Sequence, residues 1–243
     1  MCRHLAYVGS PIALADPLWH APHALVHQAR TPKHQLSGPD NPHGYGVAWY
    51  LPESAIPHRY RTEVPMWEDE TFGETILHVR TPAFVGAARL ASPGAPIEAE
   101  GNAPFVSGAW SFSLNGFVAD FVEGARETLR ATITAERLAG IEGHADTEVL
   151  FAMVLDRMDA GARPSEALAD TIAATEAVSG GRLNLILHDG TTVVATAVGN
   201  SLFARPGWVS SEPLDDDPAW SRLPDRTVVT CAAGAAPRME PLP

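Results

Sequence analysis

Helical stretches crowd into the middle of this chain, and strand-like stretches lie on both sides of them. Residues 121–133, 147–158 and 165–178 have helical spacing. Val149/Leu150, Met153/Val154 and Met158 line one face of the second, and Gly180-Gly181 ends the third. Ahead of this block, 2–9, 47–51, 84–90 and 108–114 read as strands, and 22–30 and 71–79 as shorter helices. Within 108–114, Trp110, Phe112 and Leu114 alternate with Ser111 and Ser113, the period of a strand. Behind the block, 182–187, 192–198, 202–205, 208–210 and 228–231 read as strands, the first two joined by a hairpin turn at His188-Asp189-Gly190. Parallel strands need a crossover between each pair, and so a regular strand–helix alternation. That alternation is missing here. Antiparallel sheets with helices packed outside, an α+β layered architecture, are the expectation.

The 243 residues are 45% hydrophobic, enough for one sizeable core. With 20 Gly and 21 Pro, many turns are expected, but no Ser/Gly, Gln or Pro tract reads as a flexible linker and no internal repeat stands out. A single domain over 2–243 follows. The formal net charge of −12, with basic residues scattered, argues against nucleic acid or an anionic membrane as partner, since phosphate binding needs clustered Lys and Arg. No apolar run approaches the roughly 20 residues of a membrane span. Arg3 and the apolar residues up to Ala13-Leu14-Ala15 weakly imitate a secretion signal, but Gly9, Ser10 and Pro11 interrupt them. Two cysteines, Cys2 and Cys231, fit a reduced, cytoplasmic compartment. His20, His23 and His27 approach helical spacing, yet Pro22 intervenes and no Cys or carboxylate completes a zinc pattern. Ordinary surface or core histidines are expected there, with no metal and no cofactor. Oligomeric state is left open.

Cys2 carries the most chemistry. Methionine is normally trimmed before a small second residue, which would give Cys2 both a thiol and a free α-amine. A thiol titrates near about 8.5 and an α-amine near about 7.7–8.0, so the amine can take the thiol proton and return it to a leaving amine. One residue would then hold nucleophile and base. Taken alone, a small buried residue is the commoner reason for a cysteine. Asn115-Gly116 has two readings: a type I′ hairpin turn, or an oxyanion hole made by the Asn115 amide and the Gly116 N–H. Arg89, at a strand end, is either a rim arginine or a fork for a carboxylate. Asp146, ahead of a helix, is an N-cap, a partner for an ammonium group, or both.

In order along the chain, Met1-Cys2-Arg3-His4-Leu5, Asn41-Pro42-His43-Gly44-Tyr45-Gly46-Val47-Ala48, Arg89-Leu90-Ala91-Ser92, Asn115-Gly116 and Asp146-Thr147-Glu148 resemble the motifs of class II glutamine amidotransferases, N-terminal-nucleophile hydrolases. Each is weak alone; five in order over about the first 150 residues are specific. The resemblance implies the four-layer αββα fold with two stacked antiparallel sheets. It implies Cys2 as nucleophile, Asn115 and Gly116 as oxyanion hole, and Arg89, Ser92 and Asp146 as the residues that bind a small γ-glutamyl substrate. Where fuller family members carry a histidine after the arginine, this chain has Leu90-Ala91-Ser92-Pro93. The opening Met-Cys-Arg-His-Leu and the Ser211-Glu212-Pro213-Leu214 segment resemble the compact ergothioneine-pathway amidohydrolases, which remove glutamate from γ-glutamyl-hercynylcysteine sulfoxide. Alternatives are a free-standing glutaminase, a subunit feeding ammonia to a synthase, and a non-enzymatic binding member of the fold. A quaternary ammonium would suit an aromatic or acidic pocket, for which Tyr45, Trp49, Trp67 and Glu68 are candidates, though core packing explains them equally.

Overall fold

Alternation along the first strand, β1 (Arg3–Ala13), divides the molecule into layers. Leu5 and Tyr7 enter one apolar cluster, while Ala6 and Val8 enter another on the opposite face. The computed structural model describes residues 2–92, 94–141 and 143–242. After β1 come α1 Leu25–Arg30, β2 Tyr45–Tyr50, β3 His58–Thr62, α2 Glu70–Thr75, β4 Arg80–Ala88, β5 Phe105–Ser107 and β6 Trp110–Val118. Then follow α3 Arg126–Arg130, α4 Ala135–Ala139, α5 Asp146–Asp159 and α6 Pro164–Val178. The chain closes with β7 Gly181–His188, β8 Thr192–Ala197, β9 Phe203–Arg205, β10 Trp208–Ser210, β11 Ser221–Arg222, β12 Thr227–Ala232 and β13 Arg238–Pro241.

Seven strands form one sheet in the order β11-β9-β10-β1-β4-β2-β3, and six form a second in the order β13-β12-β8-β7-β6-β5. Neighbours in both sheets run antiparallel. Three apolar clusters mark the layers. Leu5, Tyr7, Tyr45, Val47 and Phe84 of the larger sheet pack against Leu25 and Ala29 of α1 and Phe72 of α2. Ala6, Val85, Ile186, Val193, Ala195, Val229 and Cys231 fill the space between the sheets. Phe112, Leu114, Leu183 and Leu185 of the smaller sheet pack against Leu150, Met153 and Val154 of α5 and Leu168 and Ile172 of α6. Each such buried side chain contributes roughly 1.5–3 kcal/mol over leaving it in water. Helices, sheet, sheet, helices is the αββα stack that the family resemblance implies, and it agrees with the layered α+β architecture read from the order of elements.

Several local readings need correction. Residues 121–133 are not one helix: a π turn at Phe121–Ala125 contains Gly124 at non-helical φ 160°, ψ −26°, and α3 follows as a separate piece. Residues 71–79 hold only a short α-helix, continued by a 3₁₀ turn at Ile76–His78. Strands β3, β5, β11 and β13 carry too little apolar alternation to be read in advance. β3 (His-Arg-Tyr-Arg-Thr) sits at a sheet edge, where charge discourages pairing with a foreign strand. The alternation in β6 is as read, and both of its faces are buried: Ser111 contacts the Tyr50 hydroxyl at 3.0 Å, and Ser113 contacts His4 Nδ1 at 3.2 Å. The hairpin at 188–190 is as expected, since β7 and β8 are paired directly around it. Among the described residues no helix is long and apolar enough to cross a membrane.

Candidate active site

Cys2 immediately precedes β1, half-buried and with a free thiol. Strand alternation puts it on the same side as His4, whose ring reaches Ser113 on the other sheet. Arg3, the next residue, takes the opposite side. Its Nε donates to the Cys2 carbonyl at 2.8 Å, and its Nη1 donates to Glu212 Oε1 at 3.0 Å. Both members of that ion pair are fully buried.

Glu212 gathers more than Arg3. Its carboxylate also contacts His23 Nε2 at 2.7 Å and accepts the backbone N–H groups of Lys33 and His34 at 2.9 and 3.0 Å. Burial alone would raise its pKa. The hydrogen bonds from His23, His34 and Lys33, with the charge of Arg3, outweigh burial and hold it at about 2. One buried carboxylate thus fastens the strand that carries Cys2 to the loop after α1. Sequence reading gave Glu212 no role, since its partner Arg3 lies 209 residues away.

Asn115 and Gly116 are in the middle of β6, paired with Asn184 and Leu183 of β7. The hairpin-turn reading of this Asn-Gly pair is therefore wrong. Gly116 has a different reason to be glycine: a Cβ there would lie 1.8 Å from the Arg182 carbonyl oxygen. Asn115 is fully buried. Its Nδ2 lies 3.1 Å from Ser211 Oγ, which also accepts the His4 N–H at 3.0 Å. Asn115 Oδ1 has no partner among the described residues. Asn200 Nδ2 donates to the Asn115 carbonyl at 2.8 Å, and Asn184 receives the N–H of Asn200 at 3.3 Å. Asn184 and Asn200 were missed in the sequence, and Ser211 was noted only within the 211–214 segment, because isolated small polar residues carry no periodic signal.

Arg89 directly follows β4. Its backbone is framed by the loop at 43–44: Arg89 N–H donates to the Gly44 carbonyl at 2.9 Å, and His43 N–H donates to the Arg89 carbonyl at 3.0 Å. Gly44 has φ +88°, where a side chain would be strained. The guanidinium donates to the Pro96 carbonyl at 3.1 Å and faces Asn102 Oδ1 at 3.4 Å. Both are neutral acceptors, so its charge is not spent on a carboxylate there. Ser92 is exposed, and its carbonyl accepts the Ala95 N–H at 3.0 Å.

Asp146 opens α5 but does not cap it. Its Oδ2 accepts the Val118 N–H at 2.9 Å, two residues beyond Gly116, and its Oδ1 accepts the Thr147 N–H at 2.7 Å. The N-cap position is Ala145, which has no capping side chain. The cap reading is corrected accordingly: this carboxylate is tied to the strand of the proposed oxyanion hole. Burial raises its pKa against those hydrogen bonds, and Arg89 is near enough for its charge to act the other way.

Two of the three histidines that suggested a metal are otherwise engaged: His23 with Glu212 at 2.7 Å, and His20 with Asp16 at 3.2 Å. Among the described residues no three His, Cys, Asp or Glu side chains converge as ligands do. The aromatic candidates lie on the outer face of the larger sheet, opposite the face that strand alternation gives Cys2 and His4. Tyr45 is buried in the outer cluster with its hydroxyl on Asp69 at 2.9 Å, and Trp49 and Trp67 pack against that same cluster.

The chain is 35% identical over 234 residues to a γ-glutamyl-hercynylcysteine sulfoxide hydrolase of Mycolicibacterium smegmatis, spanning 94% of this chain and 95% of that protein. A protein of the same name from Mycobacterium tuberculosis is 33% identical, spanning 94% of this chain and 92% of its own. No family profile matches the chain. Among solved structures, a glutamine aminotransferase class-II domain protein from Silicibacter pomeroyi superposes with TM-score 0.73 at 25% identity, each chain covered in full. The glutamine phosphoribosylpyrophosphate amidotransferase of Bacillus subtilis superposes with TM-score 0.67 at 13% identity over 49% of its length, which shows the shared fold. With its stacked antiparallel sheets and its near end-to-end relatives, the chain belongs to the class II glutamine amidotransferase family of N-terminal-nucleophile hydrolases.

Proposed function

We propose that this protein hydrolyses the γ-glutamyl amide of γ-glutamyl-hercynylcysteine sulfoxide, releasing glutamate and hercynylcysteine sulfoxide, with Cys2 as nucleophile. The observation that carries this reading is the match, over nearly the whole length of both chains, to hydrolases of that name. In this reading residues 2–243 form one domain, Met1 is removed, and the enzyme works in a reduced, cytoplasmic setting.

The Cys2 α-amine takes the thiol proton, and sulfur attacks the γ-carbonyl carbon. The carbonyl electron pair moves to oxygen, which rests on the Asn115 amide and the Gly116 N–H. The C–N bond then breaks, the ammonium returns its proton to the departing nitrogen, and a γ-glutamyl thioester remains. Water, losing its proton to the same amine, attacks the thioester. Collapse restores the thiol and frees glutamate. Each step uses a group of the chain or water.

Two features of the site support these roles. A hydroxyl has one proton to give, and Ser211 Oγ already accepts from His4. Exchanging N and O of the Asn115 amide, which leaves its shape unchanged, lets Ser211 donate to Oδ1. The buried position that has no partner then belongs to Nδ2, a donor free for the oxyanion. Arg89 and Asp146 offer opposite charges to the α-carboxylate and α-ammonium of the glutamyl end, with Ser92 beside Arg89.

The test is glutamate release by the purified protein from γ-glutamyl-hercynylcysteine sulfoxide and from glutamine at equal concentration. The conjugate is expected to be the better substrate by at least about tenfold in kcat/KM. Faster turnover of glutamine would replace the reading with that of a glutaminase.

A further inference from the structure

A cavity adjoins the Asn115 network on the side away from Arg89. It measures about 770 Å³, and Lys33, His34, Asn200, Ser201, Arg222 and Asp225 are among its lining. In the larger sheet, β10 and the Ser211-Glu212 segment lie on one side of β1 and β4, with Arg89 beyond its end, on the other. Asn200 and Ser201 belong to the first side: Ser201 Oγ donates to the Ser211 carbonyl at 2.9 Å, and Asn200 Nδ2 donates to the Asn115 carbonyl at 2.8 Å. Lys33 and His34 belong there too, held by their backbone N–H groups on Glu212. A γ-glutamyl unit that reaches Arg89 from Cys2 therefore leaves this cavity for whatever is joined to its amide nitrogen.

The polar groups in the cavity suit one kind of leaving amine. Asn200 is only 9% exposed, and its Oδ1 has no partner among the described residues. It is an acceptor near the amide that is assigned to the oxyanion, so it suits the N–H of the scissile nitrogen. The Lys33 ammonium and the Arg222 guanidinium are exposed, and neither has an ion pair among the described residues. Asp225 also lines the cavity, where one of its oxygens accepts the Gly199 N–H at 2.8 Å and fixes the turn that presents Asn200; two cations against one carboxylate leave the lining with excess positive charge. An acceptor for N–H beside two unpaired cations matches an α-amino acid, whose nitrogen and carboxylate are two bonds apart.

We propose that this cavity is the leaving-group subsite, and that it selects γ-glutamyl amides whose departing amine is an α-amino acid by binding that carboxylate through Lys33 and Arg222. The proposal rests on the γ-glutamyl amidohydrolase reading and adds to it the residues that read the far half of the substrate.

The experiment compares γ-glutamyl-alanine with γ-glutamyl-alaninamide, which differ only in the leaving carboxylate, and uses γ-glutamyl-p-nitroanilide as a substrate without one. The native protein is expected to prefer the acid over the amide by about tenfold to a hundredfold in kcat/KM, the range for a charge-assisted contact. Lys33→Ala/Arg222→Ala is expected to abolish that preference, mostly through KM, and to leave p-nitroanilide turnover within about twofold. Both positions are exposed, so folding is unaffected, and the p-nitroanilide rate reports it. Equal kcat/KM on acid and amide in the native protein overturns the subsite while leaving the amidohydrolase reading intact. So does a preference that survives in the double variant. No turnover of any of the three overturns both.

Discussion

The residues named for the proposed site are held in two ways. Asn115, Gly116, Arg3 and Glu212 lie in or against sheet backbone, and the side chains of Arg3, Asn115 and Glu212 are wholly buried. Arg89, Ser92, Lys33 and Arg222 sit beyond strand ends or on the rim, reached by solvent. The first group has no freedom: a Cβ at Gly116 collides with backbone, and Glu212 is fixed by four residues. The second group has charge to spare and room to move. With the roles proposed above, this arrangement would keep the reacting atoms rigid and leave substrate choice to residues that can change without disturbing the sheets.

That contrast can be broken by substitution. Glu212→Ala leaves Arg3 buried without its partner, and is expected to cost about 3–5 kcal/mol in urea unfolding. A loss below about 1 kcal/mol would mean the cluster is not the fastening described. pH sharpens the same point. Glu212 has a native pKa of about 2 against an ordinary 4.5, so its contribution is complete above pH 4.5 and is lost as pH falls through about 2. Glu212→Gln should flatten that limb of the stability profile. Two buried histidines act earlier. Burial holds His4 at about 3 and His188 at about 4 against an ordinary 6.5, so the unfolded chain takes up protons first and stability begins to fall below pH 6.5.

Asn115→Ala should lower kcat by about 10²–10³ with KM little changed, because the lost contact belongs to the transition state. A near-normal kcat would leave Asn115 a purely structural role in β6. Arg89→Ala should act instead on KM, by about tenfold to a hundredfold for substrates with a free α-carboxylate. An equal loss on an α-methyl ester analogue would deny the contact. Ser92→Ala, which would remove one neutral hydroxyl contact, should lower kcat/KM by about threefold to tenfold. A larger loss would move Ser92 into the rigid group.

How far the sequence reached follows the same division. The order of strands and helices gave the layers, because apolar alternation and helical spacing reflect burial, and burial makes the stack. Asn115-Gly116 shows the limit. The pair is a strong local turn signal, yet pairing with β7 keeps it extended, and tertiary context overrides local preference. Asp146 was placed ahead of its helix, but its carboxylate is tied to Val118 across the fold, a contact no local pattern encodes. The Arg3–Glu212 pair joins residues near opposite ends of the chain, so its partners were visible only as separate charges.

The central claim concerns Cys2, whose sulfur and unblocked amine would share the proton work. Intact-mass spectrometry after incubation with 6-diazo-5-oxo-norleucine, a glutamine-like electrophile, tests it most directly. The account predicts a chain lacking Met1 that carries one adduct, located on the Cys2 peptide and absent from Cys2→Ala. A native chain that keeps Met1, or an adduct that persists in Cys2→Ala, would contradict it.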